Sequence, residues 1–296
     1  MLIATPVVAD AATIKGTLRN DVLRGTAGDD VIRGLSGNDR IGGLGGNDRI
    51  SAGAGRDVVD GGDGNDRIDG YLGNDRLRGG NGNDVVTGGG GGDLVGGGAG
   101  NDRINGGGGN DYLDGGAGND SLHGSTGRDR VYGGVGDDHV QGGPGNDRVY
   151  GGPGRDQLDG DEGDDFIDAG PGDDSCPGFG AGVINLCQGF PAVGGRVDIT
   201  GDAGDDVIYP GDGIDNVFGE EGDDLIVVRN DGAYDRLSCR DTASEPGKKG
   251  VGGTVVYVGG IDRRDEIRKC KRRTMSEAAF RRAYPGLPLP TTAYRP

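Results

Sequence analysis

The chain of 296 residues has no tryptophan, two methionines and two histidines, and aromatic residues make up 5% of it. Hydrophobic residues amount to 32%, where a globular domain carries about 45–50% apolar residues by a somewhat broader count. A single large apolar core is therefore excluded. No apolar run reaches the roughly 18 residues of a membrane-spanning helix. Glycine is abundant, with 70 residues, but it does not recur at every third position, which excludes collagen. Catalytic signatures are missing as well: there is no G-x-S-x-G, no H-E-x-x-H and no Cys/His arrangement. So little apolar surface combined with a net charge of −18 ordinarily describes a disordered chain. The periodicity of the sequence points the other way.

Charge is unevenly spread. Residues 241–296 hold 12 Lys and Arg against 6 Asp and Glu, a net of +6, so residues 1–240 carry −18 − 6 = −24. An acidic surface of that size repels nucleic acid and anionic lipid and attracts cations. At the N-terminus, Leu2 to Ala9 is a short apolar stretch, and Ala9-Asp10-Ala11 fits a small-x-small cleavage pattern. Residues 1–11 are therefore expected to be a signal-peptide remnant, and the protein to be secreted.

Counting in nines from Gly16, the chain runs in one register to Pro177, giving 18 nonapeptides without an insertion. Position 6 is Asp in all of them: Asp21, Asp30, Asp39, Asp48, Asp57, Asp66, Asp75, Asp84, Asp93, Asp102, Asp111, Asp120, Asp129, Asp138, Asp147, Asp156, Asp165 and Asp174. Position 8 is apolar throughout, from Leu23 and Ile32 to Ile167 and Cys176. Position 4 is Gly except at Arg19, and position 1 is Gly except at Ala52 and Ala169. Three residues, x-U-x with U apolar, form a short strand with one side chain inward and two outward. The other six, G-G-x-G-x-D, form a turn whose glycines permit positive φ and close backbone approach. Such a turn aims several carbonyl oxygens at one spot, and the Asp carboxylate joins them. Hard oxygen ligands in a flexible cage suit Ca²⁺ better than Zn²⁺ or Mg²⁺.

The pattern G-G-x-G-x-D-x-U-x, as in Gly115-Gly-Ala-Gly-Asn-Asp-Ser-Leu-His123, resembles the RTX, or hemolysin-type, calcium-binding repeat family. The resemblance implies an all-β fold, a right-handed parallel β-roll with two nonapeptides per coil. Repeat n stacks on repeat n+2, and calcium ions lie between stacked turns. Residues 12–177 then make about nine coils. They hold up to about 16 ions, roughly +32 in charge, comparable with the −24 of residues 1–240. The position-6 aspartates are the implied ligands. Eighteen small apolar side chains are too few to order 162 residues unaided, so folding is expected to depend on calcium.

Residues 178–200 break the register. A shorter block at 201–238 then resumes it, with Asp206, Asp215 and Asp224 at position 6 as further expected calcium ligands. Residues 239–296 read as a basic, irregular C-terminal cap, with a strand at Val255–Val258 and a short helix from Ser276 to Ala283 ahead of Pro285. In an exported chain the four cysteines are expected to form Cys176–Cys187 and Cys239–Cys270, with the other two connectivities open.

The strands of odd-numbered repeats share one sheet. Its outward positions carry Val58, Leu94, Tyr112, Tyr132, Tyr150 and Phe166, with Arg130 and Arg148 between them. Tyr132 and Tyr150 are one coil apart and are expected to stack. This aromatic strip is either covered by residues 178–296 or open to a protein or carbohydrate partner. His123 and His139 fall at outward positions and read as surface residues. The expected function is a secreted calcium-binding structural or interaction module, not an enzyme. A calcium-dependent ice-binding or adhesive roll, and a non-catalytic module of an extracellular enzyme, are the alternatives.

Overall fold

The computed structural model describes residues 11–171. Beyond them it describes residues 199–201, 205–210, 216–219, 224–229, 236–238, 254–258, 266–268, 271–287 and 289. Two compact units divide the chain, Met1–Ser121 and Leu122–Pro296. The fold is an all-β parallel β-solenoid.

Among the described residues, the first unit holds twelve strands. They are β1 (Thr13–Lys15), β2 (Val22–Arg24), β3 (Val31–Ser36), β4 (Arg40–Gly45), β5 (Arg49–Ala54), β6 (Val58–Asp63), β7 (Arg67–Leu72), β8 (Arg76–Asn81), β9 (Val85–Gly90), β10 (Leu94–Ala99), β11 (Arg103–Gly108) and β12 (Tyr112–Ala117). Odd strands pair with odd and even with even, always in parallel. The register is 18 residues: Ile32 faces Ile50, Ile50 faces Ile68, and Val95 faces Leu113. Two nonapeptides thus complete each coil.

The apolar residue at position 8 points inward, and from Ile32 to Ile167 each is at most 4% exposed. Most strands of this unit are longer than the expected x-U-x. From β3 to β12 each has six residues and continues through positions 1 to 3. The extension is possible because the backbone bends at position 2 while its pairing continues. Glycine at that position takes φ from +91° to +123°. Leu35, Leu44, Tyr71, Ser125 and Asp161 hold the same position at φ between +65° and +88°, close to the left-handed region an L-residue tolerates. Position 4 is stricter. Most of its glycines run from +99° to +156°; a Cβ would strike the backbone of the preceding coil at either position, as on Gly55 against Gly37 and on Gly89 against Tyr71, but only position 2 relaxes enough to hold L-residues. Arg19, the exception, belongs to the first repeat and follows no described coil.

The second unit contains β13 (Ser121–Thr126), β14 (Arg130–Val135), β15 (His139–Gln141), β16 (Arg148–Tyr150), β17 (Gln157–Asp159), β18 (Phe166–Asp168), β19 (Ile199–Thr200) and β20 (Val207–Tyr209). There follow β21 (Asn216–Phe218), β22 (Leu225–Arg229), β23 (Arg236–Ser238), β24 (Thr254–Val258), β25 (Glu266–Arg268), β26 (Lys271–Met275) and helix α1 (Glu277–Ala283). The second repeat block continues the same stack. β18 pairs with β20, Ile167 facing Ile208, although 41 residues separate them. Where the sequence leads one to expect an irregular cap, β24 and β26 extend the parallel pairing from β22, and β25 extends it from β23. The Val-rich β24 keeps an apolar residue in the inward register, with Val255 opposite Ile226. In β26 that register position passes to Arg272.

Helix α1 starts where the sequence indicates. The Ser276 hydroxyl accepts a hydrogen bond from the Ala279 amide at 3.3 Å, and Arg281 and Arg282 occupy the last turn, where they complement the helix dipole. Phe280, fully buried, packs with Tyr209, Val227 and Val256 on the outer face of the sheet. No described helix is long and apolar enough to cross a membrane.

Replacing Gly91 by Ala is expected to cost about 1–3 kcal/mol, the range for a residue held in a sparsely populated conformation. Gly89→Asn, two residues earlier, should cost less than Gly91→Ala, because Leu35, Leu44, Tyr71, Ser125 and Asp161 show that its position relaxes toward the left-handed region that Asn tolerates. Thermal melts in saturating calcium measure both; equal losses would contradict the distinction between positions 2 and 4.

Candidate metal centre

The position-6 aspartates line the inside of every described turn. From Asp30 to Asp165, and again at Asp206 and Asp224, they are at most 3% exposed. One oxygen of each is committed to its neighbour. The Asp48 amide donates to Asp66 Oδ1 at 2.8 Å, the Asp66 amide to Asp84 Oδ1 at 2.7 Å, and the Asp84 amide to Asp102 Oδ1 at 2.7 Å. The opposite column repeats this through Asp39, Asp57, Asp75 and Asp93 at 2.7–2.8 Å. In the second unit the relay crosses the long insertion: the Asp165 amide donates to Asp206 Oδ1 at 2.8 Å. Each carboxylate therefore ties its own coil to the preceding one.

The second oxygen has no such tie. Oδ2 of Asp39, Asp48, Asp57, Asp66, Asp75, Asp84, Asp93 and Asp102, and of Asp147, Asp165 and Asp206, is buried with no hydrogen-bond partner. Around it lie further acceptors. The place where a Cβ would stand on Gly88 is 2.6 Å from Asp93 Oδ2 and 2.5 Å from the Gly106 carbonyl oxygen of the next coil. The same two kinds of oxygen crowd Gly70, Gly97, Gly124 and Gly151. Buried acceptors facing acceptors repel one another unless a cation or protons intervene.

The donor set fits calcium. It consists of carboxylate and carbonyl oxygens only, which a hard cation prefers. Among the described residues no three His, Cys, Asp or Glu side chains converge on one point, so backbone carbonyls must supply much of any coordination shell. Bound there, Ca²⁺ would supply the positive charge that the Oδ2 row lacks.

The first turns differ. Asp21 Oδ2 accepts from the Thr17 amide at 2.6 Å and the Thr17 hydroxyl at 2.9 Å, and Asp30 Oδ2 accepts from the Thr26 amide at 2.6 Å. Threonine at position 2 thus adds a hydroxyl donor to the backbone amide at these two turns. Asp174, Asp215 and all four cysteines lie outside the described residues.

Position 5 has a role that the repeat count alone did not reveal. The Asn47 side-chain oxygen accepts the Asn65 amide at 2.8 Å, Asn65 accepts that of Asn83 at 2.7 Å, and Asn83 accepts that of Asn101 at 2.7 Å. This outer ladder joins turn to turn in parallel with the Asp relay. Asp serves equally well: Asp137 accepts the Arg155 amide at 3.0 Å and pairs with its guanidinium at 3.1 Å.

Burial and neighbouring carboxylates raise the affinity of the seam for protons, while the backbone N–H bonds oppose them. Desolvation, the largest cause, pushes Asp66 and Asp102 up to about 7 and Asp156 and Asp206 to about 8. Asp75 and Asp147 rise to about 6 for the same reason.

On the outside of the second unit, Tyr132 and Tyr150 stack with ring centroids 4.5 Å apart and planes 2° from parallel, as expected. Phe166 follows at 5.6 Å from Tyr150, and Tyr209 at 5.3 Å from Phe166. Tyr209 and Phe166 belong to the cluster covered by Phe280 and Tyr284, whereas Tyr132 and Tyr150 keep partial exposure beside the exposed Arg130 and Arg148. Tyr112 lies in the first unit.

A family model described as the RTX calcium-binding nonapeptide repeat (4 copies) matches residues 15–50, 42–77, 60–95, 69–104, 87–122, 114–149, 123–158, 141–176 and 194–217. Together these matches span more than half of the chain. No curated protein matches it.

Because the folded seam holds protons more tightly than the unfolded chain, the metal-free fold keeps this contribution below pH 3.8 and loses it as pH rises through 6 to 8. Circular dichroism of the calcium-free protein should show less β-structure at pH 8 than at pH 4, and calcium should reverse the difference at pH 8. A calcium-free signal independent of pH would contradict the account of the seam.

Proposed function

We propose that this chain, which belongs to the RTX calcium-binding nonapeptide repeat family, is a secreted calcium-binding β-roll whose folding is coupled to metal uptake. It acts as a structural or interaction module and not as an enzyme. One observation carries this reading: a row of buried Asp Oδ2 atoms without donors, several of which, as at Asp75, Asp93 and Asp102, converge with a carbonyl oxygen of the adjoining coil. An interior of this kind is unfavourable at neutral pH unless a cation compensates it. The single inward apolar residue of each repeat offers little else to oppose the lost chain entropy. Calcium binding and folding therefore become one equilibrium.

Secretion is supported by the apolar stretch at residues 2–9 and by the calcium levels that extracellular modules are adapted to, roughly 10⁻⁴–10⁻³ M. The position-6 aspartates are the proposed ligands, including Asp174 and Asp215, whose repeats follow the same pattern. As an interaction surface we favour Tyr132 and Tyr150 with Arg130 and Arg148, an aromatic and arginine combination typical of protein interfaces. The two tyrosine rings lie face to face, which closes those two ring faces to a ligand. That arrangement suits a protein partner better than a carbohydrate, which would need an open ring face.

Circular dichroism at pH 7.5 tests the coupling. Excess EGTA should abolish most of the β-signal, and added calcium should restore it; a folded roll in EGTA would overturn the proposal.

A further inference from the structure

Glycine at position 1 serves a purpose different from that at positions 2 and 4. Gly43, Gly61, Gly70, Gly79 and Gly88 do not take positive φ, so backbone conformation does not require them. Space does. A Cβ on Gly70 would meet Asp75 Oδ2 at 2.8 Å and also the Gly88 carbonyl oxygen, and one on Gly61 would strike Asp66 Oδ2 and the Gly79 carbonyl. Real Cβ atoms essentially never come within 3.0 Å of another heavy atom in this way. The missing side chain at position 1 is what lets the carboxylate and the neighbouring carbonyl converge.

Ala52 breaks this rule. It occupies position 1 of its repeat, between Gly34 and Gly70 in its column, and is completely buried. The carboxylate of the same repeat, Asp57, is also completely buried. Its Oδ1 is held by the Asp39 amide at 2.7 Å, so the group is not free to swing aside. By the repeat register, the Ala52 methyl stands where Asp57 Oδ2 and the Gly70 carbonyl would otherwise approach each other. The Ala52 carbonyl is unaffected and faces the preceding turn, as its neighbours' carbonyls do. In the opposite column, Gly25, Gly43, Gly61, Gly79 and Gly97 leave the corresponding space open without interruption.

We propose that the gap between the coils of Ala52 and Gly70 is a built-in break in one calcium column, separating a short N-terminal segment at Asp21 and Asp39 from the run that begins at Asp75. The inference rests on the calcium reading above. When calcium is limiting, the turn at residues 52–57 opens before its counterpart at residues 61–66, because solenoid stability depends mainly on nearest neighbours.

Isothermal titration of the full chain with CaCl₂, together with amide hydrogen exchange at subsaturating calcium, tests this. Ala52→Gly should bind about one more ion than the parent and raise protection at residues 52–57 to that at 61–66. Gly61→Ala should bind about one fewer and lose protection at 61–66. If Gly61→Ala fails to fold in saturating calcium, Ala52→Gly, which only removes a methyl, decides alone. A parent and Ala52→Gly with the same stoichiometry and the same protection would overturn the break while leaving the calcium reading intact. A parent that takes up no calcium would overturn both.

Discussion

Beyond the first turns, the described position-6 carboxylates face two ways, as Asp66 and Asp84 do. The Oδ1 accepts the amide of the aspartate one coil earlier, and the Oδ2 turns into a buried space lined by more oxygen. The first contact sets the coil spacing and direction of the stack. The second makes the stack unfavourable at neutral pH without a cation. Both halves of the fold follow from this residue. The strands place one apolar side chain per repeat inside, enough to define an inner face but not to drive folding. The turns concentrate charge on that same inside. A protein whose interior is half carboxylate has tied its stability to whatever neutralises that charge.

Glycine makes the arrangement possible, for three separate reasons. At position 4 it takes φ values closed to other residues and lets successive turns touch. At position 2 it bends the strand, although Leu35, Tyr71 and Ser125 manage the same bend nearer the left-handed region. At position 1 it keeps room for two oxygens to meet. The sequence records these three tolerances: position 4 departs from glycine only in the first repeat, position 2 departs often, and position 1 departs only at Ala52 and Ala169.

The nine-residue period made the sheets, their 18-residue register and the inward column readable in advance, because each depends on backbone geometry that repeats without change. The stacking of Tyr132 on Tyr150 followed from the same register. The period did not predict what depends on side-chain chemistry or on distant segments. The Asn ladder at position 5 is not evident from composition, since Arg and Gly also occur there; their amides donate to the side-chain oxygen of the preceding coil, but they offer no side-chain oxygen to the next. The continuation of the coils through β24, β25 and β26 was hidden because those strands have lost the glycines and the aspartate, and only β24 and β25 keep an apolar residue in the inward register. The seat of α1 was equally hidden: Phe280 meets Tyr209, Val227 and Val256, which lie far away in sequence. At that end the outer face is apolar and covered, and the molecule relies on ordinary packing in addition to its acidic seam.

The central claim is that the Oδ2 row is a row of calcium sites. Crystals grown in calcium, with anomalous diffraction recorded for the metal, test it most directly. The account predicts a line of calcium peaks in each column, among them peaks beside Asp48, Asp66 and Asp84 and touching the adjoining carbonyl oxygens. A well-ordered roll with water or hydrogen-bonded protonated carboxyls in those places, and no metal peak, would contradict it.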